Sequence, residues 1–97
     1  MGRDWDIAEL NYNVTGDIVP DVKCNYLAAG THNGKPYYHN TIKAEYLWWF
    51  GDENEWVISP TVGDYTGAGW HKTDPISGNY PPYGTAEGTA IVSEGLH

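Results

Sequence analysis

The fold is decided by residues 25–59, which read NYLAAGTHNGKPYYHNTIKAEYLWWFGDENEWVIS. In this stretch Asn33-Gly34 separates two segments of strand-like composition, residues 25–32 and 35–39. Asn-Gly supplies the two positive φ angles that a type I′ turn requires. The stretch therefore predicts a β-hairpin with a two-residue turn.

A two-residue turn also fixes which residues of this hairpin face each other. The predicted pairs are Tyr38 with Ala29, Tyr37 with Gly30 and Pro36 with Thr31. Each tyrosine ring would then lie opposite a residue too small to obstruct it.

Residues 44–50 and 55–59 predict a second hairpin, closed by the acidic loop Gly51-Asp52-Glu53-Asn54-Glu55. Pairing Phe50 with Trp56 across this loop divides the side chains between two faces. One face would carry Tyr46, Trp48, Phe50, Trp56 and Ile58, and the other Leu47, Trp49 and Val57. Because both faces are apolar, the hairpin is predicted to be covered on both sides or to leave one face for a partner.

The rest of the chain also favours strands, since Gly and Pro recur too often for helical periodicity. In residues 4–14 apolar and polar residues alternate, with a change of phase at Ala8-Glu9, which predicts one bulged strand or two short strands. Residues 60–87 are rich in Gly, Pro and Tyr and predict a folded loop region with short strands. Residues 89–93 predict a last strand.

We therefore predict one all-β domain, an antiparallel sandwich or partly closed barrel of six to eight short strands made of consecutive hairpins. Its parts would be an N-terminal strand region at 1–22, an aromatic-rich module at 23–93 and a tail at 94–97. Ninety-seven residues leave no room for a second domain.

Composition narrows the classes of function. Thirteen acidic residues against five Lys and Arg give a net charge of -8, which disfavours nucleic acid and anionic membrane surfaces as partners. No apolar run is long enough for a membrane span, and no basic segment precedes an apolar stretch, so neither a span nor a signal peptide is expected. The single cysteine, Cys24, is expected to be a small buried apolar residue without a disulfide.

Catalytic and metal chemistry have little support in the sequence. No serine lies in a nucleophile motif, and most acids fall in predicted turns or on wet strand faces, so we expect no enzymatic activity. His32, His39 and His71 lack the spacing of a metal site. The acidic loop 51–55 could hold calcium, but a solvated hairpin tip explains it better, and no cofactor is expected.

The aromatic residues carry the functional hypothesis. Five Trp, eight Tyr and one Phe exceed what so small a core is expected to bury. We assign Trp5, Tyr46, Trp48 and Trp56 to the core. The predicted ligand-binding residues are Trp49, Trp70, Tyr80 and Tyr83, with Asp64 and Asp74 as hydrogen-bonding neighbours, because Trp49 projects opposite to Trp48 and the others lie in the Gly/Pro-rich region.

The chain also resembles a known pattern of motifs. Asn33-Gly34-Lys35-Pro36-Tyr37-Tyr38, Tyr46-Leu47-Trp48-Trp49 and Trp56-Val57-Ile58-Ser59 are similar to small aromatic-rich β repeat modules of extracellular and phage-related multidomain structural proteins. The resemblance spans residues 23–93 and implies a non-catalytic module in a virion-associated or extracellular setting. It identifies no functional residues.

The leading expectation is thus a recognition or structural module that binds a partner through exposed aromatic side chains, with glycan as the ligand class. The alternative is a purely architectural module that packs on a second copy or a neighbouring domain without a small ligand. A third alternative is a small acidic glycosidase-like enzyme, which would need two carboxylates in one cleft.

Overall fold

The structure, a computed structural model, describes residues 11–95 and contains no α-helix in that range. Within residues 11–95 nine strands form one antiparallel sheet, one strand more than the upper end of the predicted range, and the all-β prediction is confirmed. The predicted strand before residue 11 and Trp5 lie outside the described residues. The strands are β1 (Tyr12–Thr15), β2 (Cys24–His32), β3 (Lys35–Asn40), β4 (Tyr46–Phe50), β5 (Glu55–Ser59), β6 (Gly69–Thr73), β7 (Gly78–Tyr80), β8 (Pro82–Tyr83) and β9 (Ala90–Glu94).

The sheet curls into a nearly closed barrel. Its strand order is β7-β9-β1-β2-β3-β4-β5-β6-β8, so the two edge strands are β7 and β8. These two strands are separated in the sequence only by Pro81. Residues 78–83 therefore pair with β9 through their first half and with β6 through their second half. This one segment joins the two ends of the sheet.

The core fills the inside of the barrel. Every second side chain of a strand points inward, as alternation in a strand requires. The largest fully buried side chains of the core cluster are Trp70, Tyr26, Tyr80, Leu47 and Ile58. The buried polar ends are satisfied by backbone carbonyls, since the Trp70 indole donates to Gly88 and the Tyr26 hydroxyl donates to Val22. The aromatic residues thus supply most of the interior volume.

The first hairpin forms as predicted near its turn. Asn33 and Gly34 have φ angles of 55° and 81°, and the predicted pairs Gly30–Tyr37 and Thr31–Pro36 are present. The predicted pair Tyr38–Ala29 is wrong, because a β-bulge between Ala28 and Gly30 shifts the register and Tyr38 pairs with Ala28. Next to the bulge, the Ala28 amide donates to the Asn11 side chain.

The predicted register of the second hairpin is wrong by one residue. Trp49 pairs with Trp56, and Phe50 pairs with Glu55. The loop has four residues rather than five because Asn54 adopts a left-handed conformation, with φ 55°, and lets Glu55 join the strand. One face of the hairpin therefore carries Tyr46, Trp48, Phe50, Glu55, Val57 and Ser59, and the other carries Leu47, Trp49, Trp56 and Ile58.

Candidate functional site

A second layer of rings lies on the outer surface of the barrel, opposite to the core. We call it the outer ring layer, and its members alternate along their strands with core residues or lie in the segment 60–68 that folds over them. Ring contacts between 4.2 and 6.1 Å connect neighbouring members. The layer consists of His32, Tyr37, His39, Tyr46, Trp48, Phe50, Tyr65, His71 and Tyr83.

Segment 60–68 covers one half of this layer, which we call the covered half: His32, Trp48, Phe50, Tyr65, His71 and Tyr83. Tyr65 brings its ring onto Phe50, at 5.1 Å, and stacks on Tyr83, at 4.2 Å and 10° between the planes. The Ser59 hydroxyl accepts a hydrogen bond from the Trp48 indole and lies 3.1 Å from the Thr61 and Asp64 carbonyls. Trp48 is consequently fully buried although it points away from the core.

The covered half also holds polar groups that are partly shielded from solvent. Burial raises the pKa of the Tyr83 hydroxyl, which is the one fully buried side-chain polar atom without a hydrogen-bond partner among the described residues. His71 Nδ1 lies 3.0 Å from Glu55 Oε1, at hydrogen-bond distance. Burial, and secondarily the negative charge of Glu55, raises the pKa of Tyr65.

None of residues 11–95 folds over the other half of the layer as segment 60–68 folds over the first. We call it the open half, and it comprises Tyr37, His39 and Tyr46 with the neighbouring Leu27. Leu27, His39 and Tyr46 form one row across β2, β3 and β4, and the His39 and Tyr46 rings stack at 4.8 Å and 17°. Leu27 is 40% exposed, His39 is exposed, and both tyrosines are half-buried. Three adjacent strands thus present apolar and ring surface to solvent.

Two of the predicted ligand-binding residues belong to the core. Trp70 and Tyr80 are fully buried, and they lie in β6 and β7 rather than in loops. The prediction of short strands in residues 60–87 is confirmed by β6, β7 and β8, but the expectation that Trp70 and Tyr80 are exposed there is wrong. The reason is pairing with β5 and β9, which turns both rings inward. Neither side chain is accessible to a ligand.

The remaining predicted residues have local partners. Tyr83 lies in the covered half under Tyr65. Trp49 is half-buried on the core side of β4, with its ring 5.3 Å from Trp56. Asp74 accepts a hydrogen bond from the Trp56 indole. Hydrogen bonds from Thr66 lower the pKa of Asp64, which is fully exposed. The six predicted residues do not come together in one site.

Sequence reasoning missed the open half. The signal was present in the first hairpin, because Tyr37 and His39 are two residues apart and must share a face. Tyr46 was assigned to the core with Trp48, which lies two residues further along the same face. What separates them is segment 60–68, which reaches Trp48 and leaves Tyr46 half-buried.

The described residues 11–95 form no enclosed pocket. Within the same residues, no three His, Cys, Asp or Glu side chains converge as a metal ion would need. Nor does this part of the chain contain a helix with the length and apolar character to cross a bilayer. Glu55 belongs to β5 rather than to the acidic hairpin loop, and its carboxylate faces His71. The candidate site is therefore the open half, a surface on the barrel wall.

Comparisons with known proteins do not extend this description to a family. No family model, curated protein or solved structure matches the chain.

Proposed function

We propose that this protein is a non-enzymatic recognition module that binds a neutral glycan through the open half of its outer ring layer. The observation that carries the proposal is the row Leu27–His39–Tyr46 on three paired strands, in which Leu27 and His39 are exposed and Tyr46 is half-buried, with the half-buried Tyr37 beside it. Strands hold these side chains in fixed positions, so little conformational entropy is lost when a ligand binds.

The chemistry of the open half suits a sugar. Tyrosine and histidine rings combine flat apolar faces with polar edges, and a pyranose combines an apolar face of C–H groups with hydroxyls at its rim. Stacking would use the ring faces, while the Tyr37 and Tyr46 hydroxyls and the His39 imidazole would supply hydrogen bonds. The net charge of -8 favours an uncharged ligand over an anionic one.

A glycan screen with titration tests this proposal. Neutral mono-, oligo- and polysaccharides are screened on an array, and any hit is titrated by calorimetry against the wild type, Tyr46→Ala and the control Ile91→Ala. Ile91 is also exposed and apolar, but it lies on β9, away from β2–β4. We expect Tyr46→Ala to weaken binding about tenfold or more, which corresponds to about 1.4 kcal/mol, and Ile91→Ala to leave it unchanged. Absence of any glycan binding, or equal affinities, would reject the proposal.

The architectural alternative has one specific observation in its favour. Val19 and Ile42 are 56% and 74% exposed in two connections between strands, β1–β2 and β3–β4. The Lys43 ammonium links these connections by donating a hydrogen bond to the Asp21 carbonyl. Exposed apolar side chains at one end of a barrel favour packing against a second copy or an adjacent domain. This function predicts a mass that rises with concentration in size-exclusion chromatography with light scattering, without sugar, and falls in Ile42→Ser.

A further inference from the structure

A feature separate from the open half lies at the tip of the first hairpin. The Lys35 ammonium is placed over the Trp49 ring, 4.9 Å from its centroid, and 6.0 Å from the centroid of the Trp56 ring. The two indoles meet nearly edge to face, at 5.3 Å and 62°. Together they form a two-walled corner, which we call the indole corner, with a cation in it.

Hydrogen bonds hold the ring of one indole of the corner and the backbone of the other. The Trp56 indole N–H donates to the Asp74 carboxylate at 2.8 Å. The Asn33 side chain, in the hairpin turn, donates to the Trp49 carbonyl at 3.3 Å. Trp56 is also buried and Trp49 half-buried, so neither ring is free to collapse if the cation leaves.

Lys35 contacts aromatic rings although the chain is rich in carboxylates. The chain has thirteen acidic residues, yet this ammonium forms no salt bridge with any carboxylate among residues 11–95. It lies instead over two indoles, the aromatic side chains whose faces attract cations most strongly. The acidic character of the whole chain adds a favourable potential for positive charge. The corner is therefore a place where the protein itself already holds a cation.

We propose that the indole corner is a binding site for an organic ammonium group, of the methylated ammonium class, and that Lys35 is its built-in occupant. A quaternary ammonium gives up its hydration more readily than a lysine ammonium and fills the same position against the ring faces. Lys35 competes because its tether keeps its local concentration high. A ligand therefore gains the site by displacing a half-buried side chain at a hairpin tip.

Tetramethylammonium is the probe that tests the proposal. Tetramethylammonium chloride is titrated into the protein at constant ionic strength, and the indole N–H signals are followed in a two-dimensional NMR spectrum. The signal of the buried Trp70 serves as internal reference. In Lys35→Ala the corner is vacated, and we expect tetramethylammonium to bind about three- to thirtyfold more tightly than in the wild type. The Trp49 and Trp56 signals should shift, while the Trp70 signal should stay in place.

Two further variants make the result decisive. Lys35→Arg keeps a cation on the same tether and should bind tetramethylammonium as weakly as the wild type. Lys35→Ala combined with Trp49→Leu removes one wall and should lose the gain, while thermal unfolding confirms that it is folded. Equal affinities of Lys35→Ala and Lys35→Arg would overturn the proposal. So would a gain that persists without the Trp49 ring, or a shift of Trp70 equal to those of the corner.

Discussion

The covered and open halves of the outer ring layer share one sheet, and both contain Tyr and His rings, but they differ in what lies above them. Over the covered half, segment 60–68 brings Tyr65 onto Phe50 and Tyr83, and Trp48 is buried. Over the open half no described segment lies, and His39 is exposed while Tyr46 is half-buried. The comparison teaches that ring content alone does not separate stability from binding. The nine-residue segment 60–68 contacts the rings of the covered half and accompanies the full burial of Trp48, whereas His39 in the open half is exposed.

The largest expected effect comes from removing the centre of the covered half. Trp48→Ala deletes a fully buried indole and its hydrogen bond to Ser59, and should lower the free energy of unfolding by about 3 to 5 kcal/mol. Urea denaturation measures the change. The matched substitution Tyr46→Ala, in the open half, should cost about 1 kcal/mol or less. If the two variants were equally destabilised, the division into two halves would be wrong.

Removal of the covering ring should make the covered half resemble the open one. Tyr65→Ala loses the stack on Tyr83 and the contact with Phe50, and should cost about 1 to 2 kcal/mol. Water would then reach the Tyr83 hydroxyl, so its pKa should fall towards the ordinary value for tyrosine. Spectrophotometric titration of tyrosinate, with Tyr83→Phe to identify the signal, checks the shift. An unchanged Tyr83 titration would mean that Tyr65 does not shield it.

A pH dependence should arise just inside the open half, at Glu45, the residue before Tyr46. Burial raises the pKa of this carboxyl to about 7, with the Lys43 charge opposing the shift. Because the folded state holds the proton more tightly than the unfolded state, this contribution to stability is complete below the ordinary glutamate pKa and is lost as pH rises through 7.

We expect the loss between pH 5 and 8 to be about 1 to 2 kcal/mol, less than the shift alone would give, because solvent screens part of the carboxyl. Glu45→Gln should remove this slope in denaturation curves recorded across the range. The negative charge of Glu45 acts on two ionisable groups of other strands, Tyr26 and Tyr83. Both hydroxyls stay protonated between pH 5 and 8, because burial raises their pKa values. A slope that survives in Glu45→Gln would assign it to another group.

The smallest effect on stability should come from the open half. His39→Ala removes an exposed ring that stacks on Tyr46, and the free energy of unfolding should change by about 0.5 kcal/mol or less. The same variant should weaken binding of any glycan that the wild type recognises. A stability loss as large as that of Tyr65→Ala would give His39 a structural role instead.

The sequence predicts the fold class and much of the first hairpin, since Asn33-Gly34 encodes a turn type by itself. It predicts the second hairpin but not its register, because the left-handed conformation of Asn54 is not specified by the neighbouring acidic residues. The burial of Trp70 and Tyr80 depends on strands paired across the closed sheet. The local sequence pattern of a Gly/Pro-rich region does not predict which distant strands it will pair with, here β5 and β9.

The open half was missed for a related reason. Alternation in β4 places Tyr46 and Trp48 on one face, and pattern alone gives them the same environment. Their difference originates in Tyr65 and Ser59, which position segment 60–68 over one ring and not the other. Sequence alternation predicts the side of a sheet, whereas a covering loop is a matter of tertiary contacts.

The joining of the sheet by residues 78–83 has a consequence for how the barrel comes apart. A sheet with free borders can lose its outermost strands one at a time, but here the first and last ladders are formed by neighbouring parts of one six-residue segment, 78–83. Within residues 11–95 no strand at a free border is available where thermal fraying could begin. Unfolding must first break the pairing of segment 78–83 with β6 and β9. Amide protons of β1 and β5, on opposite sides of the barrel, should consequently exchange with deuterium at similar, globally limited rates.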